Sequence, residues 1–149
     1  MTKKILFITF CFALLITGCT NGKKSPETIE KNNHDNKKMS NIKVVINDRT
    51  YTLKLENNNT AKEFISLLPQ KYNMSDLNDN EKYVYLNNSL TTNSSNPKHI
   101  KKGDVMLFKD DCLVIFYKSF DTNYSYTKIG HIDNLDKLDS GNIMVKFDV

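Results

Sequence analysis

The chain has 149 residues, with 21 Lys and Arg against 17 Asp and Glu, which gives a net charge of +4. Residues 1–40 hold seven Lys and three acidic residues and so carry all of this excess, which leaves residues 41–149 neutral. A neutral domain lacks the basic face that displaces counterions from nucleic acid, so the composition excludes a nucleic-acid-binding domain. The length allows one domain.

The N-terminus has the pattern of a signal peptide. Lys3 and Lys4 precede an uncharged apolar run over residues 5–16. At about a dozen residues the run is too short to cross a bilayer core of ~30 Å as a helix, and it is typical of a signal-peptide core. The small residues Thr17 and Gly18 follow it. We therefore expect residues 1–18 to be removed by a signal peptidase.

The residues around the expected cleavage point resemble the lipobox of bacterial lipoproteins. They read Leu15-Ile16-Thr17-Gly18-Cys19, with Ile16 where that motif most often has Leu. The resemblance implies that the Cys19 thiol carries a diacylglycerol and that Cys19 becomes the first mature residue. Stable attachment of a chain without another membrane segment needs two or more acyl chains, such as palmitate. We expect a lipid-anchored, extracytoplasmic protein at the cell membrane; the alternative is an ordinary secreted protein with a chance Cys.

A flexible linker is predicted between the anchor and the domain, over residues 19–41. Residues 20–41 contain one isolated aliphatic residue, Ile29, among many Lys, Asn and Glu. Such a segment buries too little apolar surface to become ordered. As a coil of about 20 residues it would hold the domain roughly 25 Å from the bilayer.

The domain itself is predicted over residues 42–149. Alternating β-branched residues predict strands over 42–46 and 50–55, joined by a hairpin turn at 47–49. Thr60 and Glu63 have the spacing of a capping box, and Pro69 ends the apolar helical pattern that follows, so a helix of about two turns is expected there.

The rest of the domain shows mainly strand patterns. Strands are predicted over residues 72–77, 82–86, 103–108, 112–117, 124–132 and 143–147, with a turn at Asp110-Asp111 and one helical turn at 134–138. About eight short strands and one helix favour a mainly β fold, a small closed eight-stranded barrel with one flanking short helix, because closure removes the sheet edges.

Four segments resemble a bacterial group of cyclophilin-like barrel domains. They are residues 60–69, 80–86, 100–108 and 114–130, in the expected order. The resemblance extends over residues 42–147 and implies a closed eight-stranded barrel with a flanking helix. It implies no reaction, because a fold does not determine a function.

True cyclophilins are prolyl isomerases, and their residues are not recognisable here. They use an Arg that donates to the prolyl amide beside an aromatic proline pocket, with a nearby Gln and His. The only arginine of this chain, Arg49, lies in the first hairpin, there is no Trp, and the glycine-rich stretch that carries the Gln is absent. We expect isomerase activity to be absent or very weak; a weak or divergent isomerase acting on secreted chains is the alternative function.

The domain shows no pattern of a metal or nucleophile site. Cys112 lies in an apolar strand, which predicts a buried structural thiol. His99 and His131 have no partner at ligand spacing, so solvated or locally bonded side chains are expected. We predict no catalytic residue, no metal and no cofactor.

A concentration of hydroxyl-bearing side chains is the candidate binding region. If Tyr124 and Tyr126 lie on one strand, they point to the same face. Tyrosines can line a groove for a small planar or sugar-like ligand or a peptide; alternatively, they cap the barrel ends, and Glu81 belongs to a surface loop. The candidate ligand-binding residues are Glu81, Tyr83, Tyr85, Tyr117, Thr122, Tyr124 and Tyr126.

Three functions remain open from the sequence. The first is a monomeric binding module for a small molecule or peptide, the second an enzyme, and the third an accessory subunit without a pocket. A formed pocket separates the first two from the third. An arginine facing that pocket would favour the isomerase over the binding module.

Overall fold

The computed structural model describes residues 41–149, which form ten strands and one helix. The signal peptide, the acylated Cys19 and the linker predicted for residues 1–40 lie outside the described residues. The elements are β1 Asn41–Ile46, β2 Arg49–Leu55, α1 Asn59–Ser66, β3 Gln70–Leu77, β4 Glu81–Tyr85, β5 His99–Ile100, β6 Asp104–Phe108, β7 Cys112–Phe116, β8 Phe120–Asp121, β9 Thr127–Ile132 and β10 Ile143–Asp148.

Eight of the strands close into an antiparallel barrel. Their order around the barrel is β1-β10-β3-β4-β7-β6-β9-β2, and the short strands β5 and β8 form a separate pair. This confirms the predicted fold class, a mainly β protein with a closed eight-stranded barrel and one short helix. The two-residue strands β5 and β8 were not predicted, because they are too short to show a periodic pattern.

Asn and Asp residues form the tight hairpin turns. Asn47 and Asp48 between β1 and β2 have φ of 47° and 62°, and Asn78 and Asp79 between β3 and β4 both have φ of 52°. Two successive positive φ values are what a type I′ hairpin turn requires, and short polar side chains tolerate this region best.

The helix begins with a different cap from the one predicted. Asn58 is the N-cap, and its side-chain oxygen accepts a hydrogen bond from the backbone N–H of Ala61 at 2.8 Å. The expected capping box is therefore wrong. The Thr60 hydroxyl instead donates to the carbonyl of Thr91, and the Glu63 carboxylate accepts from the backbone N–H and hydroxyl of Thr91. Both side chains fasten a distant loop to α1.

The barrel walls are buried on two sides along β6 and β7. Inward side chains such as Leu107, Leu113 and Ile115 belong to the core inside the barrel. Outward side chains of the same strands form a second apolar cluster with Ile100 and Tyr126. All five residues of β7 are consequently buried, which explains why its sequence is a continuous apolar run.

Two further local predictions are wrong. The strand expected over 124–132 begins only at Thr127, and Tyr126 forms an isolated bridge with Ser95 instead. The helical turn expected at 134–138 is absent, because Leu135 and Leu138 both turn into the barrel core from an irregular segment. Tertiary packing outweighs the local pattern in this segment.

Within residues 41–149, the single helix is neither long nor apolar enough to cross a membrane.

Candidate functional site

The alternation of β4 places three candidate residues on the outer face of the barrel. Glu81, Tyr83 and Tyr85 point outward, while Lys82 between them is fully buried among the interior groups. In register with them on β7 are Phe116, Val114 and Cys112, which also face outward. The sheet β4-β7-β6 thus presents a continuous outer face made mostly of apolar and aromatic side chains.

This outer face contains a cavity of about 340 Å³, called the outer pocket below. Cys112 and Val114 form its base, and the β3–β4 turn closes one end. Its lining residues are Leu77, Asn78, Glu81, Tyr83, Tyr85, Phe108, Cys112, Val114, Tyr124 and Tyr126. Another depression on the surface is slightly larger, at about 350 Å³, but it is lined by polar side chains including Lys98 and Asn123. The outer pocket combines apolar walls with a few polar groups, which is the usual character of a ligand site.

Aromatic rings pack edge to face around the outer pocket. The Tyr83 and Tyr85 ring centroids lie 6.0 Å apart at 83°, and those of Phe108 and Tyr124 lie 6.1 Å apart at 86°. Tyr126 packs against Phe108 with a centroid distance of 5.6 Å. The first two pairs have the favoured edge-to-face geometry, while the rings of Phe108 and Tyr126 are tilted at 51°. Tyr85 and Tyr124 are nevertheless 64% and 66% exposed, so they form the rim of the pocket.

Glu81 is the acidic residue that lines the outer pocket. Its side chain is partly buried, and burial, followed by the negative charge of Asp76, raises the pKa of its carboxyl group. Within residues 41–149 no side chain or backbone group donates a hydrogen bond to this carboxylate, and no cation forms an ion pair with it. A partly buried carboxylate without a bonding partner opposes folding. It is therefore available to pair with a group that enters the pocket.

Cys112, at the base of the outer pocket, is buried and has a raised pKa. Burial, followed by the charges of Asp111 and Glu81, raises the pKa of its thiol to about 11. At neutral pH the thiol is protonated, whereas nucleophilic cysteines need a lowered pKa. The prediction of a buried Cys in a strand is confirmed.

Five of the seven candidate residues line the outer pocket, namely Glu81, Tyr83, Tyr85, Tyr124 and Tyr126. The other two lie elsewhere. Tyr117 points into the barrel, where its hydroxyl donates to Asp76 at 2.7 Å. Thr122 lies beside the polar depression, and its hydroxyl oxygen accepts from the backbone N–H of Tyr124 at 3.1 Å.

Sequence reasoning missed five lining residues: Leu77, Asn78, Phe108, Cys112 and Val114. Phe108 is opposite Cys112 in the β6–β7 register, and Val114 is opposite Tyr83 in the β4–β7 register. The strand pairing was the missing information. Given that β7 lies between β4 and β6, the period-2 alternation alone would have placed these side chains on the same face.

A buried polar cluster inside the barrel was also missed. The Lys82 ammonium pairs with the carboxylate of Asp76 and donates to the carbonyl oxygens of Asp139 and Gly141 at 2.6 and 2.7 Å. It also lies 4.9 Å from the centroid of the Tyr117 ring. Burial alone would raise the pKa of the Asp76 carboxyl, but the bonds from Lys82 and Tyr117 outweigh it and lower that pKa. The cluster fastens the irregular segment before β10 to the hairpin that carries Glu81.

Arg49 does not line the outer pocket. It lies at the start of β2, where its guanidinium donates to Asp136 at 2.7 Å, and its side chain is 68% exposed. The Tyr51 hydroxyl donates to the same carboxylate at 2.6 Å. The lining of the outer pocket therefore contains no arginine.

The two histidines of the domain bond to different aspartates. His99 contacts Asp121 at 2.7 Å through Nδ1, and His131 contacts the buried Asp104 at 2.9 Å through Nδ1. The bonded residues are 22 and 27 positions apart in the chain, so these are contacts made by the fold and not the local bonds that were expected. In residues 41–149, no group of three or more His, Cys, Asp or Glu side chains is arranged to hold a metal ion.

Comparison with known protein families agrees with this architecture. The model of the cyclophilin-like family matches residues 44–148, which is more than half of the chain. The chain belongs to the cyclophilin-like family. No curated protein and no solved structure matches it. Family membership fixes the barrel, while the function has to be argued from the outer pocket.

Proposed function

We propose that this cyclophilin-like protein is a binding module that holds a small ligand in the outer pocket. The observation that carries the proposal is the combination, in one cavity of about 340 Å³, of aromatic walls with a carboxylate that has no partner in the described chain. Ligand sites are typically concave and mostly apolar, with a small number of polar groups that orient the ligand. The outer pocket has this composition.

The size and the rim of the pocket favour a small ligand. A cavity of about 340 Å³ is near the lower end of the range for small-molecule sites, roughly 300–1,000 Å³. Tyr85 and Tyr124 are too exposed to contribute much to folding, yet both line the cavity. Exposed aromatic side chains gathered around a concave site are typical of recognition surfaces.

The ligand proposal can be tested by a thermal-shift screen of the purified full-length chain. A ligand that binds only the folded state stabilises it by about 2.7 kcal/mol at a concentration 100 times its Kd. Tyr124→Ala should abolish the shift produced by any hit, because it removes one rim of the pocket. Met144→Ala is the matched control, since Met144 is 45% exposed on β10 and lies outside the pocket. Hits that are insensitive to Tyr124→Ala would contradict the proposal.

We also propose that the module is displayed outside the cell membrane on a lipid anchor at Cys19. The support is the lipobox-like sequence that ends at Cys19, followed by a polar segment suited to a flexible tether. Cys19→Ser should move the protein from the membrane fraction to the soluble fraction. Complete retention of the substituted protein in membranes would contradict the anchor.

A further inference from the structure

The environment of Glu81 differs from that of the more deeply buried acidic side chains of the domain. Asp76, with a side chain 13% exposed, is paired with Lys82. Asp104, 3% exposed, receives the ammonium of Lys128 at 3.2 Å and a nitrogen of His131 at 2.9 Å. Glu81 has no such partner within residues 41–149, although it points into a cavity lined by aromatic rings.

The charge of Glu81 extends across the outer pocket. It contributes to the raised pKa of the Cys112 thiol at the base of the pocket, after burial and Asp111. It contributes in the same direction to the raised pKa of the Tyr126 hydroxyl, after burial. Both groups are neutral when protonated and resist becoming anions beside Glu81. Burial is the larger cause of both shifts, but the negative charge of Glu81 acts on both groups, and a negative charge at this position favours a positively charged ligand.

The aromatic walls are suited to the same sign of charge. The face of an aromatic ring attracts cations, by about 0.5–1 kcal/mol at exposed sites and about 2 kcal/mol when the cation is desolvated. One ring of the pocket already attracts a cation, because the Lys109 ammonium lies 5.9 Å from the Phe108 ring centroid. Several rings around one carboxylate are the arrangement that recognises ammonium groups.

We propose that the ligand of the outer pocket is an organic ammonium ion, with its cationic head held against Glu81 between the tyrosine rings. This inference rests on the proposed binding function and adds the chemical class of the ligand. The ammonium group is either that of a free small molecule or that of a lysine side chain on a peptide. In both cases the ion pair with Glu81 and the contacts with the rings are the same.

Calorimetric titration of the full-length chain with three probes tests the proposal. The probes are choline, its neutral isostere 3,3-dimethylbutan-1-ol, and Nα-acetyl-lysine amide. At least one of the two cations should bind at least tenfold more tightly than the neutral alcohol. Preference for choline assigns the site to free quaternary ammonium ions, and preference for the lysine derivative assigns it to peptide side chains.

Substitutions identify the groups responsible. Glu81→Gln should reduce cation affinity at least tenfold and leave the affinity for the neutral alcohol within about twofold, whereas the exposed control Glu56→Gln should change neither. Tyr85→Ala should weaken cation binding as well; because Tyr85 is 64% exposed, this variant is expected to fold even if Glu81→Gln does not. Circular dichroism verifies the fold of each variant.

Two results would overturn the inference. One is equal affinity for choline, the lysine derivative and the neutral alcohol, and the other is cation binding that Glu81→Gln leaves unchanged. If neutral molecules bind in a manner sensitive to Tyr124→Ala while cations do not bind, the ammonium assignment fails and the proposed binding function stands. If no small molecule of any charge binds, both fail.

Discussion

Replacement of Lys82 by Met is expected to destabilise the domain severely. Met replaces the aliphatic part of the Lys82 side chain, which has 0% exposure, but lacks the ammonium group. The substitution therefore removes three polar contacts, to Asp76, Asp139 and Gly141. Removal of one partner of a buried ion pair costs about 3–5 kcal/mol, because the other charge stays buried and uncompensated. Asp76 retains its bond from Tyr117 and is 13% exposed, so we expect the lower part of this range, about 3 kcal/mol.

Equilibrium denaturation in urea and thermal melts are the appropriate assays for Lys82→Met. For a domain of this size a loss of about 3 kcal/mol should lower Tm by roughly 10–20 °C. Lys54→Met is the matched control, because Lys54 pairs with Asp133 at the surface and is 49% exposed. An exposed pair contributes about 0–1 kcal/mol. If the two lysine variants lost the same small amount of stability, the account of the interior cluster would be refuted.

Three further predictions concern the outer pocket and its supports. Burial raises the pKa of Glu81 in the folded state, so the ionised carboxylate opposes folding, and the stability gained from protonation is lost as pH rises through that pKa. Glu81→Gln should therefore raise Tm at pH 7 and change it little near pH 4. A lower Tm of the variant at pH 7 would contradict this. The pKa of the Cys112 thiol is about 11, against an ordinary value of 9.0, so Cys112 should react with iodoacetamide at pH 8 roughly 100 times more slowly in the folded protein than in urea. Mass spectrometry of the peptide that contains Cys112 measures both rates. Equal rates would disprove the burial of the thiol. Gly130→Ala should cost about 1–3 kcal/mol in urea titrations, because an added Cβ would lie 2.4 Å from the Lys54 carbonyl oxygen, and an unchanged stability would contradict the close approach of β9 to β2.

Most of the barrel could be predicted from period-2 patterns and turn residues. The β1–β2 hairpin, for example, follows from alternating β-branched residues around Asn47 and Asp48, which adopt the positive φ of a tight turn. Such signals are local, so one sequence is sufficient to read them. The helical turn predicted at 134–138 was wrong because the spacing of Leu135 and Leu138 resembles a helical repeat, although both are buried in the barrel core without forming a helix.

The candidate site was only partly predictable because it depends on the order of strands. Glu81, Tyr83 and Tyr85 share a strand, so their common face could be inferred from alternation. Phe108 comes from β6, and its position opposite Cys112 depends on long-range pairing that no local pattern encodes. Tyr117 was assigned to the same groove because it is aromatic, yet its position in the chain after β7 directs it into the barrel toward Asp76.

The burial of the ion pair between Lys82 and Asp76 could not be predicted from the sequence either. Two charged residues six positions apart around a polar turn resemble an exposed hairpin end. The structure instead places them opposite each other in the β3–β4 register, on the face that points into the barrel. Sequence alternation identifies which residues share a face, but it does not decide which face is the interior when both contain polar groups.

Mapping of a bound ligand by NMR chemical shifts tests the central claim most directly. The full-length chain, labelled with ¹⁵N, would be titrated with choline and with the best hit of the thermal-shift screen. The binding account predicts the largest shifts at the backbone amides of β4 and β7 and around Tyr124, with loss of these shifts in Tyr124→Ala. Shifts centred instead on the hairpin that carries Arg49, or no specific shift with any hit, would contradict a ligand site in the outer pocket.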